Sequence, residues 1–221
     1  MEGNTNLNSV SISGAARPAA RTRHTSVRTL TLCSIMGALS AVLMLIKFPL
    51  PFMPPFMSFD FSGVVEIIGG FAMGPSAAVG IVLVKLLVMS VLQGTNSMWT
   101  GELQNFLLSC AYVLPAVLIY QRHKTKTTAK IGMIVGTILC ALVAVCTNLF
   151  IIIPFYVTVA HLPADAMIAM CTVINPFITD ELTLALWGIV PFNLIKNGIV
   201  SVITFILYKR LSPHMKNFLN H

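Results

Sequence analysis

Apolar runs at about 29–48, 59–73, 75–92, 102–121, 131–157 and 182–208 fill most of this chain. A helix that crosses a bilayer needs about 20 such residues in succession. With 56% hydrophobic and only 10% charged residues among 221, and a mean hydropathy of +0.85, the chain is far more apolar than a soluble domain of its size needs to be. Its length leaves room for five to seven spans and none for a separate soluble domain. The pattern predicts an all-α integral membrane protein that lies in the lipid bilayer.

The second and third runs are short, but Gly74-Pro75 between them argues against one fused helix, because proline lacks an amide donor and keeps the preceding residue out of the helical region. Charge placement supports two crossings there. Arg17, Arg21, Arg23 and Arg28 precede the first run, Arg122, Lys124, Lys126 and Lys130 follow the fourth, and Lys209, Arg210 and Lys216 follow the sixth. These basic clusters share one side of the membrane only if residues 59–92 cross twice, as the positive-inside rule requires. The prediction is therefore six transmembrane helices with both termini cytoplasmic. The net charge of +7 is explained by this topology, with no need of nucleic acid. Residues 1–28 read as a disordered basic tail, 29–210 as the membrane domain and 211–221 as a C-terminal tail. The tail is a poor signal peptide, since the apolar run after Arg28 continues to Phe48 with no small-residue cleavage site after it.

Several polar residues stand where lipid-facing helices would be apolar. Asp60 and Glu66 fall in the second run, Lys85 in the third, Glu102 and Asn105 in the fourth, Asn148 in the fifth, and Asn193 and Lys196 in the sixth. A lysine near mid-membrane costs about 2.5–3.5 kcal/mol on insertion scales, so it faces a partner or a cavity. Asn193 and Lys196, three residues apart, share a helix face, and Asn148 reaches a similar depth. Lys196 fits either a structural lysine bonded to a neighbouring helix or a member of a polar solute site, and the solute site is the better reading. Removing its charge by Lys196→Met should then leave stability intact. Asp60 and Glu102, at helix starts, suit N-terminal capping, and Lys85 can pair with Glu66 as a structural ion pair.

The outer connections 49–58, 93–101 and 158–181 carry no Lys or Arg. The first holds four prolines among mostly apolar residues, so it is no helix, yet it should pack against something. It fits a stiff interfacial anchor or a cap over a cavity, and proline lowers the entropy such a cap loses on closing. Five cysteines without CxxC or Cys/His spacing imply neither a disulfide framework nor a metal site, and all but Cys171 fall in predicted helices. There is no GxxxxGK(S/T), HExxH or GxSxG motif and no carboxylate pair set up for acid–base work, so neither P-loop ATP binding nor catalysis is expected.

These residues resemble a known family. KFPLPFMPPF at 47–56 with Asp60-Phe61-Ser62, Gly101-Glu102-Leu103-Gln104-Asn105-Phe106, Asn148 ahead of Pro154-Phe155-Tyr156, and Ile189-Val190-Pro191-Phe192-Asn193-Leu194-Ile195-Lys196 are similar to the riboflavin-specific S-component of energy-coupling factor (ECF) vitamin transporters. The resemblance spans nearly the whole chain after the tail. It implies a six-helix substrate-binding subunit in the cell membrane of a prokaryote, with no cofactor and with riboflavin as transported ligand. The pocket would open outward under the loop between the first two helices. The partners would be a transmembrane coupling protein and two cytoplasmic ATPases. The implied substrate-binding set is Asn148, Asn193 and Lys196 on the flavin ring, with Asn105 and, from the loop, Phe52, Met57 and Ser58. The implied docking face for the coupling protein is Gly37-x-x-x-Ala41, where the family usually has AxxxA, although by spacing alone this small-residue pattern suits a generic internal helix contact at least as well. Asp60-Phe61-Ser62 is followed by Gly63-Val64 where an acidic residue and a proline are expected. A flat apolar ring with one donor–acceptor edge suits a pocket of Met, Phe and Leu holding two amides and one ammonium. The alternatives are an S-component for another vitamin, FMN or an analogue, and a stand-alone secondary transporter, for which no internal repeat is found.

Overall fold

The structure, a computed structural model, describes residues 27–49, 58–94, 98–159, 161 and 163–219. The expected tail up to residue 26 and the expected ligand residues Phe52 and Met57 lie outside the described residues. Seven helices follow in chain order: α1 (Val27–Leu45), α2 (Ser62–Met73), α3 (Pro75–Gln93), α4 (Thr100–His123), α5 (Lys126–Thr158), α6 (Ala164–Thr172) and α7, whose apolar part is Glu181–Tyr208. Among the described residues five of them, α1, α3, α4, α5 and α7, are long and apolar enough to cross a membrane. At 12 residues α2 reaches only about 18 Å, short of the roughly 30 Å of a hydrocarbon core.

Gly74 separates α2 from α3. Its φ of 103° is open to glycine and costly for other residues, its amide closes α2 on the Gly70 carbonyl, and Pro75 then opens α3 where no amide partner is needed. Helix α5 opens on a capping box in which the Thr125 hydroxyl accepts from the Thr128 amide. The helical backbone at the C-terminal end runs on to Leu219, past residue 210 where a tail was expected to begin.

The bundle is held by close backbone approaches. Helices α4 and α5 pack most extensively, α1 lies on α2 and α3, and α7 crosses α5 and α2. At Gly132 and Gly136 of α5 a side chain would collide with the carbonyl oxygens of Ala116 and Tyr112 on α4, so these glycines set that contact. One apolar core gathers Ile67, Phe71, Val113, Val117, Met133 and Val200 between these helices. Toward the end of the bundle that carries Arg122 and Lys124 it closes on Phe71, Tyr120 and Tyr208, whose two tyrosine hydroxyls hydrogen-bond at 2.8 Å.

Two features differ from the sequence reading. The connection 158–181 is not a simple loop: α6 folds within it and buries Cys171 against Ile178, Leu184, Ala185 and Ile189. Cys171 is therefore a buried helical packing residue like Cys33 and Cys140, and all five cysteines are free thiols. The proline-rich loop leaves and re-enters the bundle through a two-stranded antiparallel pair, β1 (Phe48–Pro49) with β2 (Ser58–Phe59), in register Phe48 to Phe59 and Pro49 to Ser58. A proline is tolerated on such an edge because its missing amide faces away from the partner. Phe61 packs edge-on against both Phe48 and Phe59, which pins the base of the loop to the start of α2.

Candidate functional site

A cavity of about 240 Å³ opens where α2, α4, α5 and α7 meet the base of the proline-rich loop. It lies near the lower end of small-molecule pockets, about 300–1,000 Å³. Ser58, Asn105, Asn148, Asn193 and Lys196 all line it, so every expected ligand residue among the described ones converges on one space from four separate segments. Asp60, Ser62, Glu66, Gln104, Ser109 and Asn197 line it as well. The wall is thus more polar than the Met, Phe and Leu pocket expected from composition, although Met44, Leu108, Ile189 and Phe192 contribute apolar surface.

Two irregular turns aim the amides. The backbone passes through π-helical turns at Asn148–Ile152 in α5 and Ala185–Ile189 in α7. Each turn ends just ahead of a proline, Pro154 or Pro191, whose missing amide cannot serve the ordinary helical ladder. Beside them, Asn148 Nδ2 donates to the Ala144 carbonyl at 2.7 Å and Asn193 Nδ2 donates to the Ile189 carbonyl at 2.8 Å. One N–H of each amide is engaged within its own helix, and the amide oxygens remain as acceptors beside the cavity. Only the weak Cys140 thiol, at 3.9 Å, donates to Asn193 Oδ1.

Lys196 is not a free ammonium. Its Nζ lies 2.7 Å from Asp60 Oδ2, while Asp60 Oδ1 accepts from the Ser62 amide at 3.0 Å and from the Ser62 hydroxyl. Asp60 therefore combines the helix-start role expected of it with a charge partnership that its position in the sequence does not reveal. A second ion pair sits deeper. Lys85 and Glu66, each 1% exposed, pair directly. Lys85 also donates to Asn105 Oδ1 at 3.0 Å and Ser109 Oγ at 3.1 Å, so all three ammonium hydrogens have acceptors. Ser40 of α1 adds a bond to Glu66 at 3.4 Å. Lysine can only donate, so it holds the Asn105 oxygen and leaves the Asn105 Nδ2 group for the cavity. The site thus carries acceptors at Asn148 and Asn193 and donors at Asn105 and Lys196.

The residues missed by sequence reasoning are Gln104, Ser109, Asn197 and the Asp60 partner of Lys196. Gln104 and Asn197 each stand beside a residue that was singled out, and that adjacency was the available signal. Gly37 and Ala41, the expected docking pair, lie on the inner side of α1. Both are buried, and a side chain at Gly37 would run into Val84 of α3, so the small residues serve an internal helix contact. The outward face of α1 carries Ile35, Leu39 and Val42 instead. Among the described residues no group of three or more His, Cys, Asp or Glu side chains could hold a metal ion.

Comparison with known proteins shows the family of the chain. The family model described as ECF transporter, substrate-specific component, matches residues 28–208. The riboflavin transporter RibU of Staphylococcus aureus (strain TCH60) is 31% identical over 183 residues, which are 83% of this chain and 89% of that protein. The riboflavin transporter FmnP of Bacillus subtilis (strain 168) is 26% identical over 188 residues, 85% of this chain and 93% of that one. A solved S component of a bacterial ECF transporter superposes with a TM-score of 0.66 at 29% identity, covering 86% of this chain and 98% of its own. With a family match across nearly all of its membrane helices, the chain belongs to the substrate-specific components of ECF transporters.

Proposed function

We propose that this chain is the riboflavin-binding subunit of an ECF importer and captures the vitamin in the cavity under the β1–β2 loop. One observation carries the reading: Asn105, Asn148, Asn193 and the Lys196–Asp60 pair, drawn from four parts of the chain, line a single cavity in an otherwise apolar bundle. The isoalloxazine edge alternates carbonyl and ring-nitrogen acceptors with one N–H donor. Amide oxygens on two helices suit the N–H, while the Asn105 amide and the lysine suit the acceptors. The names of the relatives, riboflavin transporters in both cases, support the same ligand.

The protein does no chemistry on its ligand, and transport needs partners. The sequence holds no phosphate-binding loop, so energy comes from a transmembrane coupling protein and two cytoplasmic ATPases. The chain crosses the cell membrane six times with both termini inside. The strand Ser58–Phe59, followed by Asp60 and Phe61, leads into α2 and lengthens that short crossing. Arg122, Lys124, Lys126 and Lys130 at the α4–α5 turn and Asp165, Asp180 and Glu181 around α6 stand at opposite ends of α5, which supports this orientation.

The test is direct. Protein purified in mild detergent should carry a flavin absorption band or bind added riboflavin in a fluorescence-quenching titration, and a protein that does neither is not a riboflavin component. Cells expressing the chain alone should bind but not concentrate riboflavin until an ECF module is co-expressed. Concentrative uptake by the chain alone in liposomes would make it a secondary transporter.

A further inference from the structure

We infer that Asn197 is a ligand-reading residue that donates a hydrogen bond from Nδ2 to an acceptor on the flavin ring. The inference rests on the riboflavin reading and adds to it a residue and a direction of insertion. Asn197 lines the cavity yet is only 6% exposed, and among the described residues its Nδ2 has no hydrogen-bond partner. A buried amide donor left unpaired is costly, so the group has reason to be there only if something in the cavity accepts from it. Its side chain meets the Cys140 thiol, and sulfur is a weak acceptor.

The backbone at this position is held firmly. The Tyr112 hydroxyl donates to the Asn197 carbonyl at 3.3 Å and bonds the Ser201 hydroxyl at 2.8 Å, which fixes α7 against α4 at the floor of the cavity. Asn197 follows Asn193 by four residues on the same face of α7, about 6 Å further along the helix. With Asn193 presenting an oxygen and Asn197 an NH2 group, the two form an acceptor-then-donor ladder.

Surroundings decide which part of the solute meets Asn197. Its neighbours at the floor are Tyr112, Cys140 and Val200, whereas Lys47, Ser58, Asp60 and Gln104 gather toward the loop. A flat, largely apolar ring fits the floor and a polyhydroxyl chain fits the polar mouth. The contact is therefore to a carbonyl oxygen or unprotonated nitrogen of the ring system, not to the ribityl chain.

Asn197→Leu, nearly isosteric, tests this with both riboflavin and lumiflavin, which keeps the ring and lacks the ribityl chain. Removing the donor strands a ring acceptor, so affinity for both ligands should fall roughly 5- to 100-fold. Thermal unfolding of the ligand-free protein should be unchanged or shifted upward, because an unpaired amide has been removed; a merely structural asparagine would lower it. Asn197→Ala, which leaves room for a water to serve the acceptor, should lose less and serves as the readout if the Leu variant fails to fold. Unchanged riboflavin affinity in the folded variants overturns the inference, and so does a loss confined to riboflavin, which would place the contact on the ribityl chain. Wild-type protein that binds neither flavin defeats the riboflavin reading itself, and this inference with it.

Discussion

Lys196 Nζ and Asp60 Oδ2 lie 2.7 Å apart although 136 positions separate them in the chain. The lysine side chain is 23% exposed and the carboxylate 5%, so the acidic partner is the more deeply buried. The pair ties α7 to the segment that leads from the loop into α2.

This contact reverses a sign. From sequence, Lys196→Met removes an expensive membrane charge and should spare stability. In the structure it strands Asp60, so the variant should unfold earlier, by roughly 1–3 kcal/mol given that the lysine is partly exposed. Adding Asp60→Asn should recover most of that loss. Riboflavin affinity should stay reduced roughly 10- to 150-fold in both, because the ammonium donor is gone. Thermal unfolding and flavin titration on the same preparations check the two halves, and full recovery of affinity in the double variant would remove Lys196 from the site.

Lys85 should behave as a positioning residue. Lys85→Met leaves Glu66 and the Asn105 oxygen without their main partner in a nearly sealed interior and should cost about 3–5 kcal/mol of stability. Lys85→Met with Glu66→Gln should fold better yet bind riboflavin more weakly than wild type, since the Asn105 amide is no longer held. Wild-type affinity in that double variant would show that the network is structural only.

The two other amides contribute separately. Asn148→Ala and Asn193→Ala should each weaken riboflavin binding by about 0.5–1.5 kcal/mol or more. Their combined effect should depart from the sum, because both face one ligand in one cavity. Isothermal titration of the single and double variants measures this, and strict additivity would mean that they do not share the ligand.

Acid should loosen the start of α7. Asp180 accepts from the Thr183 amide at 2.6 Å and the Thr183 hydroxyl at 2.9 Å, and these bonds hold its carboxyl below the ordinary carboxylate value of 3.8. A carboxyl lowered in the folded state stabilises above its unfolded pKa, and that contribution is lost as pH falls through the lowered folded value. Asp180→Ala should therefore lower the unfolding temperature at pH 7 and make progressively less difference below about pH 4. A pH-independent difference would show that the charge at this cap has no part in it.

Topology can be read chemically. In a cysteine-free background, Lys126→Cys and Asp165→Cys should react with a membrane-impermeant maleimide from opposite sides, Asp165→Cys from outside intact cells. Labelling of both from outside would exclude the six-crossing arrangement.

Much was readable from the chain because the bilayer imposes a one-dimensional rule. Apolar length located α1, α3, α4, α5 and α7, with ends shifted by up to about five residues and α7 running on to Leu219, since any such run must close its own backbone hydrogen bonds as a helix. Gly74-Pro75 determined the break between α2 and α3, because that pair combines a positive φ with a missing amide. Asn105, Asn148, Asn193 and Lys196 declared themselves by being polar where lipid forbids it.

What the sequence left open was decided by which faces meet. Nothing local says that Gly37 packs on Val84, that Cys171 of α6 is sealed against Ile178 and Leu184, or that Lys196 finds Asp60. The orientation of each amide was also undecided, since an asparagine offers a donor and an acceptor alike. It is set only when the Ala144 and Ile189 carbonyls take the donors of Asn148 and Asn193, and Lys85 takes the oxygen of Asn105. Those partners come from helical turns and neighbouring helices whose register depends on the packed bundle, so the pattern of donors and acceptors around the cavity exists only in the tertiary structure.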